Sequence, residues 1–301
     1  ISALTSSGVN GPVVFTINAG TYNEDIYITR AISGASSTNR ITFRGVGKHR
    51  VIIRDNYPVY LYNCDFIAVE NVTLEARSYY AIYWYYADYN KVENCIVKVN
   101  TSSTSSSYRA CYVRYSNNDT LRDNRIEGGY YGLYYYGSST SFSNNYGHII
   151  EGNDIVKTYY YGMYQRYGRD NKVLANRMDS FRNNGRVLFM YNYRCSGATI
   201  ERNRILYNNQ YDIGIYLYYA NYYGSSSART RVVNNFIGGN VSSYMYGIYV
   251  STNCRRVDVL HNTVLSNGTS SSGACLYITS GYDHNVQNNN FYQANTSGSY
   301  A

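Results

Sequence analysis

Proline occurs only twice in 301 residues, and tryptophan once. With so little proline, almost every residue keeps the amide donor that a regular backbone ladder needs. Long apolar runs are also missing. No stretch reaches the roughly 18 consecutive apolar residues of a membrane-spanning helix, so membrane insertion of that kind is not expected. Sustained helical periodicity is absent, and no secretion signal is visible. Charged residues make up only 15% of the chain, and the net charge of +8 comes from scattered arginines. A nucleic-acid arm would show a Lys/Arg run, so nucleic acid is not an expected partner. Acids are few and spread out, and there is no paired "DD", no "RGH" and no "RIK". The four histidines, His49, His148, His261 and His284, stand apart without triad or metal spacing. "GVGKHR" at Gly45–Arg50 lacks the ending of a phosphate-binding loop and reads as a turn. No catalytic residue, metal site or cofactor is assigned.

Tyrosine is present in great excess, at 41 residues, and the chain is 44% hydrophobic, enough for a sizeable core. Ser, Asn, Gly and Thr fill much of the rest, which points to short strands joined by turns. A repeat organises them. "VENVTL", "VENCIV", "LRDNRI", "IEGNDI", "VLANRM", "IERNRI", "VNNFI", "VLHNTV" and "VQNNNF" share the frame apolar-x-x-Asn-x-apolar. Its fourth position holds Val72, Cys95, Asn124, Asn153, Asn176, Asn203, Asn235, Asn262 and Asn289, with spacings of 23, 29, 29, 23, 27, 32, 27 and 27 residues. Short strands at such a period indicate a parallel β-helix of about ten or more coils. The seven asparagines are expected at a tight bend, in left-handed geometry, with each side chain bonding the next as an internal ladder. Two sets of polar insertions lie at opposite turns, around 138–145 and 222–230, and at 101–107 and 268–273.

A second row accompanies the first. Upstream of each Asn slot stands a strand such as "AIYW", "GLYY" or "GIYV", in which an inward apolar residue precedes a tyrosine. The outward row is Tyr60, Tyr83, Tyr112, Tyr134, Tyr164, Tyr191, Tyr216, Tyr249 and Tyr277; "FMYN" supplies Tyr191, with "RVLF" as the other possible strand there. Two residues on lies a row of Tyr62, Tyr85, Arg114, Tyr136, Arg166, Tyr193 and Tyr218. A third holds Tyr57, Tyr80, Arg109, Tyr131, Tyr161 and Tyr246. At one rung per ~4.8 Å, the aromatic face would run roughly 40 Å. Such a face stabilises stacked strands, offers amphipathic area for recognition, or packs against another subunit. Flanking the Asn slots, Glu70, Glu93, Arg122, Glu151 and Glu201 form one charged row and Arg125, Asp154, Arg177 and Arg204 another, as expected of cross-rung ion pairs.

The segments "GTYNEDIYI" and "ITFRG" resemble the opening coils of secreted right-handed β-helix proteins of the pectate-lyase-like group. "YYGMYQRYGRDNKVLANRM", "GIYLYYANYY" and "ATIERNRI" resemble the tyrosine-rich β-helix surface proteins of Bacteroidetes. That resemblance implies a bacterial protein exported by the type IX route, secreted or at the cell surface. Residues 1–56 do not fit the repeat and are expected to form an N-terminal cap and opening coils, with 57–301 as the repeating coils. The start at Ile1 and the end in "YQANTSGSYA" read as those of a trimmed fragment.

The expected function is non-enzymatic: binding of a glycan or another cell-surface component through the tyrosine face. One alternative is a structural stalk or filament module packing against another protein subunit. A second is a polysaccharide lyase or epimerase. Cys64, Cys195 and Cys254 recur eight residues before an Asn slot, where other coils place Ala87, Ser116 or Gly168. With Cys95, Cys111 and Cys275 they are expected to be buried free thiols, since the nearest like-placed pair lies two rungs apart, beyond disulfide reach.

Overall fold

The computed structural model describes residues 1–293 except 140–143, 180, 184, 192–194, 208–210, 223–226, 240–243 and 267–272. The chain passes repeatedly through three sheets in the same order. One coil runs from Ile67–Glu70 in the first sheet to Thr73–Ala76 in the second and Tyr80–Tyr85 in the third, then returns to the first at Lys91–Glu93. Among the described residues the sheets hold eleven, eleven and ten strands, and neighbouring strands pair in parallel, one coil to the next. A single short helix, Ser2–Ser7, precedes the first strand. The expected all-β parallel solenoid is therefore the fold found. Val13–Ile17, Gly20–Tyr22 and Ile26–Ile28 already pair in register with the strands that follow, although no copy of the Asn frame marks them.

The frame explains the first bend. Its two apolar positions end one strand and begin the next, and both point inward: Val92 and Val97, Leu121 and Ile126, and Ile150 and Ile155 are all fully buried. Each such side chain contributes roughly 1.5–3 kcal/mol by leaving water. The left-handed residue of the bend is the one before the Asn slot, which corrects the expectation from sequence. Residues 71, 94, 123, 152, 175, 202, 234, 261 and 288 all have φ between 52° and 66°. Five of these are Asn or Asp and one is Gly, the types that tolerate this region, while Ala175, Arg202 and His261 do not relieve it.

With the preceding residue turning the chain, the slot asparagine is free to point inward and up the axis. Asn176 Oδ1 accepts from both the backbone N and the Nδ2 of Asn153, each at 2.9 Å. Its own Nδ2 donates to Ile150 O at 2.9 Å and to Asn203 Oδ1 at 3.0 Å. The same bonds link Asn124 to Asn153, Asn203 to Asn235, Asn235 to Asn262, and Asn262 to Asn289. The series begins where Cys95 N donates to Asn124 Oδ1 at 2.9 Å. Every polar atom of these buried amides is thereby paired, the condition under which a buried polar group is tolerated.

Outside, the charged rows pair across rungs in part: Arg204 lies between Arg177 and Phe236 and over the Phe236 ring, and Glu201 meets Arg202 beside it in sequence. Arg122 bridges Glu93 at 3.0 Å and Glu151 at 3.1 Å, and Arg177 meets Asp154 at 3.3 Å. All six cysteines are free and buried.

Two substitutions test the bend. Asn176→Ala strips two buried donors on Asn153 of their acceptor and is expected to cost about 3 kcal/mol or more. Ala175→Asn places a left-handed-tolerant residue where Asn94 and Asn234 already stand in other coils, and is expected to stabilise by about 1 kcal/mol. Denaturant midpoints measure both. A destabilised Ala175→Asn would contradict the assignment of strain to that residue.

Candidate functional site: a tyrosine and arginine face

The outer surface of the third sheet carries the tyrosine rows. Register aligns Tyr27, Tyr60, Tyr83, Tyr112, Tyr134 and Tyr164 in one line, and Tyr216, Tyr249 and Tyr277 continue it. Tyr191 does not belong to this line, contrary to the sequence expectation. The strand Gly185–Tyr191 sets Phe189 beside Tyr164 and Tyr216, with Leu188 beside Met163 and Ile215. Tyr191 falls in the second row, between Arg166 and Tyr218. Most coils without an insertion place the tyrosine twelve residues before the Asn slot. Here the turn is two residues longer, and counting back from Asn203 therefore reached Tyr191. Tyr193 lies outside the described residues. Tyr27 was missed because its coil has no Asn frame to count from.

The rings stack on one another. Tyr112 and Tyr134 lie 5.2 Å apart and 6° from parallel, Tyr216 and Tyr249 4.8 Å apart at 14°, and Tyr27 and Tyr60 4.7 Å apart at 20°. In the third row Tyr131 and Tyr161 lie 5.0 Å apart at 3°. Along these pairs each ring face is covered by its neighbour. Tyr134 and Tyr216 retain only 9% and 8% exposure, against 48% for Tyr27 and 41% for Tyr277 at the two ends. Other neighbours in the line are tilted, Tyr60 and Tyr83 by 53° and Tyr134 and Tyr164 by 62°, so it is the parallel pairs that offer solvent mainly ring edges and hydroxyls. Burial also keeps the phenols protonated: it raises the ionisation of Tyr83, Tyr112, Tyr134 and Tyr164 above the ordinary phenol value, and moves Tyr131 to about 12.

Arginines are set among these rings. The Arg109 guanidinium lies 4.3 Å from the centre of the Tyr112 ring and 4.7 Å from that of Tyr134, and donates to Tyr80 Oη at 3.3 Å. Arg114 lies 5.0 Å from Tyr85 and 5.1 Å from Tyr115, and Arg166 5.4 Å from Tyr136. Such cation–π contacts hold the side chains flat on the face. No Asp or Glu occupies any of the three outward rows, which register carries through Arg186 as well. Among the described residues neither Arg109 nor Arg114 has a carboxylate partner. The other two sheets differ: Arg44 pairs with Glu70 at 2.7 Å, Arg54 with Glu75 at 2.9 Å, and Arg125 with Glu127 at 2.6 Å. The long insertions seen in the sequence all fall between a strand of the third sheet and a strand of a neighbouring sheet, while the asparagine bend stays short.

Two family descriptions match the chain. "Right handed beta helix region" covers residues 16–146, and "Periplasmic copper-binding protein (NosD)" covers residues 100–240. The chain is a right-handed β-helix. No curated protein matches this β-helix by sequence. Among solved structures, the A-module of the mannuronan C-5 epimerase AlgE4 of Azotobacter vinelandii is 14% identical with a TM-score of 0.59, over 96% of this chain and 81% of the other. The A-module of AlgE6 from the same organism is 14% identical at 0.53, over 97% and 92%. The Streptococcus pneumoniae surface protein and adhesin PfbA is 15% identical at 0.49, over 95% and 83%. Its structural neighbours thus include polysaccharide-acting enzymes and an adhesin, and at these identities the likeness is one of fold.

The copper named in one family description can be set against the side chains of this β-helix. Copper sites are built from Cys, His and Met brought together with deprotonated donors. Among the described residues no three of His, Cys, Asp and Glu are grouped to hold a metal ion. Burial pushes the thiols of Cys64, Cys95 and Cys254 up to about 12 and those of Cys195 and Cys275 to about 11, so the thiolate ligand form is disfavoured. His148 and Asp119 are fully buried and already engaged with backbone. These residues do not fit a copper site.

Two measurements follow from this electrostatic picture. A phenol whose ionisation is raised on folding stabilises the fold below the ordinary value of 10.0, and loses that contribution as pH climbs through the raised value. Stability is therefore expected to fall between pH 10 and 12, with the phenolate absorbance of the buried rings appearing together with unfolding; phenolate absorbance that is complete while the protein is still folded would contradict the packing. Thiol reagent at pH 8 is expected to find all six cysteines only after denaturation without reductant, and fewer than five reactive thiols there would mean that disulfides form.

Proposed function

We propose that this β-helix is an exported, cell-surface, non-enzymatic protein that binds an anionic glycan on the tyrosine face. The observation that carries the reading is the contrast in charge. Several arginines on the other two sheets, Arg44, Arg122 and Arg125 among them, are neutralised by carboxylates at hydrogen-bonding distance, whereas Arg109 and Arg114 stand among rings without a carboxylate partner. If rings and arginines served stacking alone, nothing would favour excluding acids from this face and not from the others. The ligand would lie over ring edges, accepting hydrogen bonds from phenol hydroxyls and guanidinium groups, which suits the carboxylates or sulfates and hydroxyls of an acidic polysaccharide. Stacking of sugar rings on flat tyrosines plays little part, because the faces are used within the ladder. The likeness of the tyrosine-rich segments to exported proteins of Bacteroidetes supports the surface setting and the type IX route.

Binding of acidic and neutral polysaccharides to the intact chain tests this. Acidic chains are expected to bind, more weakly as salt rises. Arg109→Gln with Arg114→Gln should lower affinity at least about tenfold, since each hydrogen bond to a charged group is worth about 1.5–3 kcal/mol. Tyr83→Phe with Tyr112→Phe keeps the stack but removes two hydroxyls, and should weaken binding without lowering the Tm. Folded wild type that binds neither class of glycan would sink the proposal. Release of unsaturated sugar, seen by ultraviolet absorbance, would replace it with the lyase reading.

A further inference from the structure

Apart from the asparagine ladder, polar and aromatic side chains collect at one further corner of the solenoid interior. The second inward position of the third sheet is Leu61 in one coil and Leu217 and Val250 farther on, but Trp84, Val113, Tyr135 and Gln165 in four consecutive coils between. Facing them across the adjoining turn runs a column of Asn90, Asp119, His148 and Asn171, all fully buried, where later coils place Ala198 and Val257. Backbone bonds hold the column: Asn90 N donates to Asp119 Oδ1 at 2.7 Å, Asp119 N to His148 Nδ1 at 3.2 Å, and His148 N to Asn171 Oδ1 at 2.8 Å. Because His148 Nδ1 accepts, the ring is neutral and carries its proton on Nε2.

Five atoms of this corner find no partner among the protein's own groups: Trp84 Nε1, Asp119 Oδ2, Tyr135 Oη, His148 Nε2 and Gln165 Oε1. Three of them are close together. The Tyr135 and His148 rings are 4.8 Å apart, and Asp119 Oδ2 lies 3.5 Å from His148 Nδ1. Trp84, Tyr135 and His148 present donors and Gln165 an acceptor, while burial raises the Asp119 carboxyl well above its usual range and so favours a protonated group that can donate as well as accept. Left dry, five such groups together would cost a large share of the net stability of a folded domain.

We propose that this corner is a binding site for internal water, about one or two molecules that partner the Tyr135 phenol, the His148 imidazole N–H and the Asp119 Oδ2 oxygen. A water here gains the two or more polar partners that hold it in a buried site. At this inward position Leu61 precedes Trp84, and Gln165 is followed by Met190 and then Leu217.

A high-resolution crystal structure of the whole chain, together with the variant Tyr135→Phe, decides the matter. Ordered water within hydrogen-bonding distance of Tyr135 Oη, and a lower Tm for Tyr135→Phe, are the expected results. In a wet corner the variant takes a partner from a bound water, whereas in a dry one it removes an unpaired hydroxyl and raises the Tm. Direct pairing of the three side chains without water, or a variant at least as stable as the wild type, would overturn the proposal.

Discussion

An amide oxygen that accepts two hydrogen bonds from the coil beside it sets the axial register of this protein. Asn176 Oδ1 takes both the backbone and side-chain N–H of Asn153. No slip by one residue preserves that pair, because slipping would also turn the inward apolar residues on either side to the surface. The bond depends in turn on the residue before it, whose left-handed φ turns the chain in a single step. Register held at one bend is transmitted to the third sheet, where it decides whether tyrosine lands on tyrosine.

That landing has a consequence for chemistry. Stacked at about 5 Å, the rings satisfy one another and withdraw their faces from the solvent. The central rings behave as an outer hydrophobic layer, and only hydroxyls, ring edges and guanidinium groups remain to meet another molecule. Stacking and recognition are thus not rival descriptions of the tyrosines. The first fixes which atoms the second can use.

Much of this was legible because period and residue type coincide. The recurring frame gave the solenoid, the inward positions and the asparagine series, and the apolar-Tyr pair located the outer face of the third sheet. What failed was what composition does not encode. The left-handed position is filled by Asn, Asp, Gly, Ala, Arg and His in different coils, so backbone geometry there leaves no common residue, and the conspicuous Asn beside it drew the assignment. Tyr191 was misplaced by a turn two residues longer than its counterparts. Trp84, Tyr135 and Gln165 sit at an inward position whose neighbours along the axis include Leu61 and Leu217, and nothing in a single sequence told which coils would bring polar atoms face to face across the interior.

Charge separates the two kinds of surface on one scaffold. On the first and second sheets, stacking neighbouring rungs places Arg against Glu or Asp, and a parallel in-register stack tolerates such alternation because each cation meets an anion about 4.8 Å away. The third sheet obeys the same spacing and could have alternated in the same way. It carries tyrosine where the anions would stand, and Arg109 and Arg114 take π-electron faces as neighbours. A ring neutralises a guanidinium only in part, so the face keeps a net positive field that the sheets with ion pairs have cancelled.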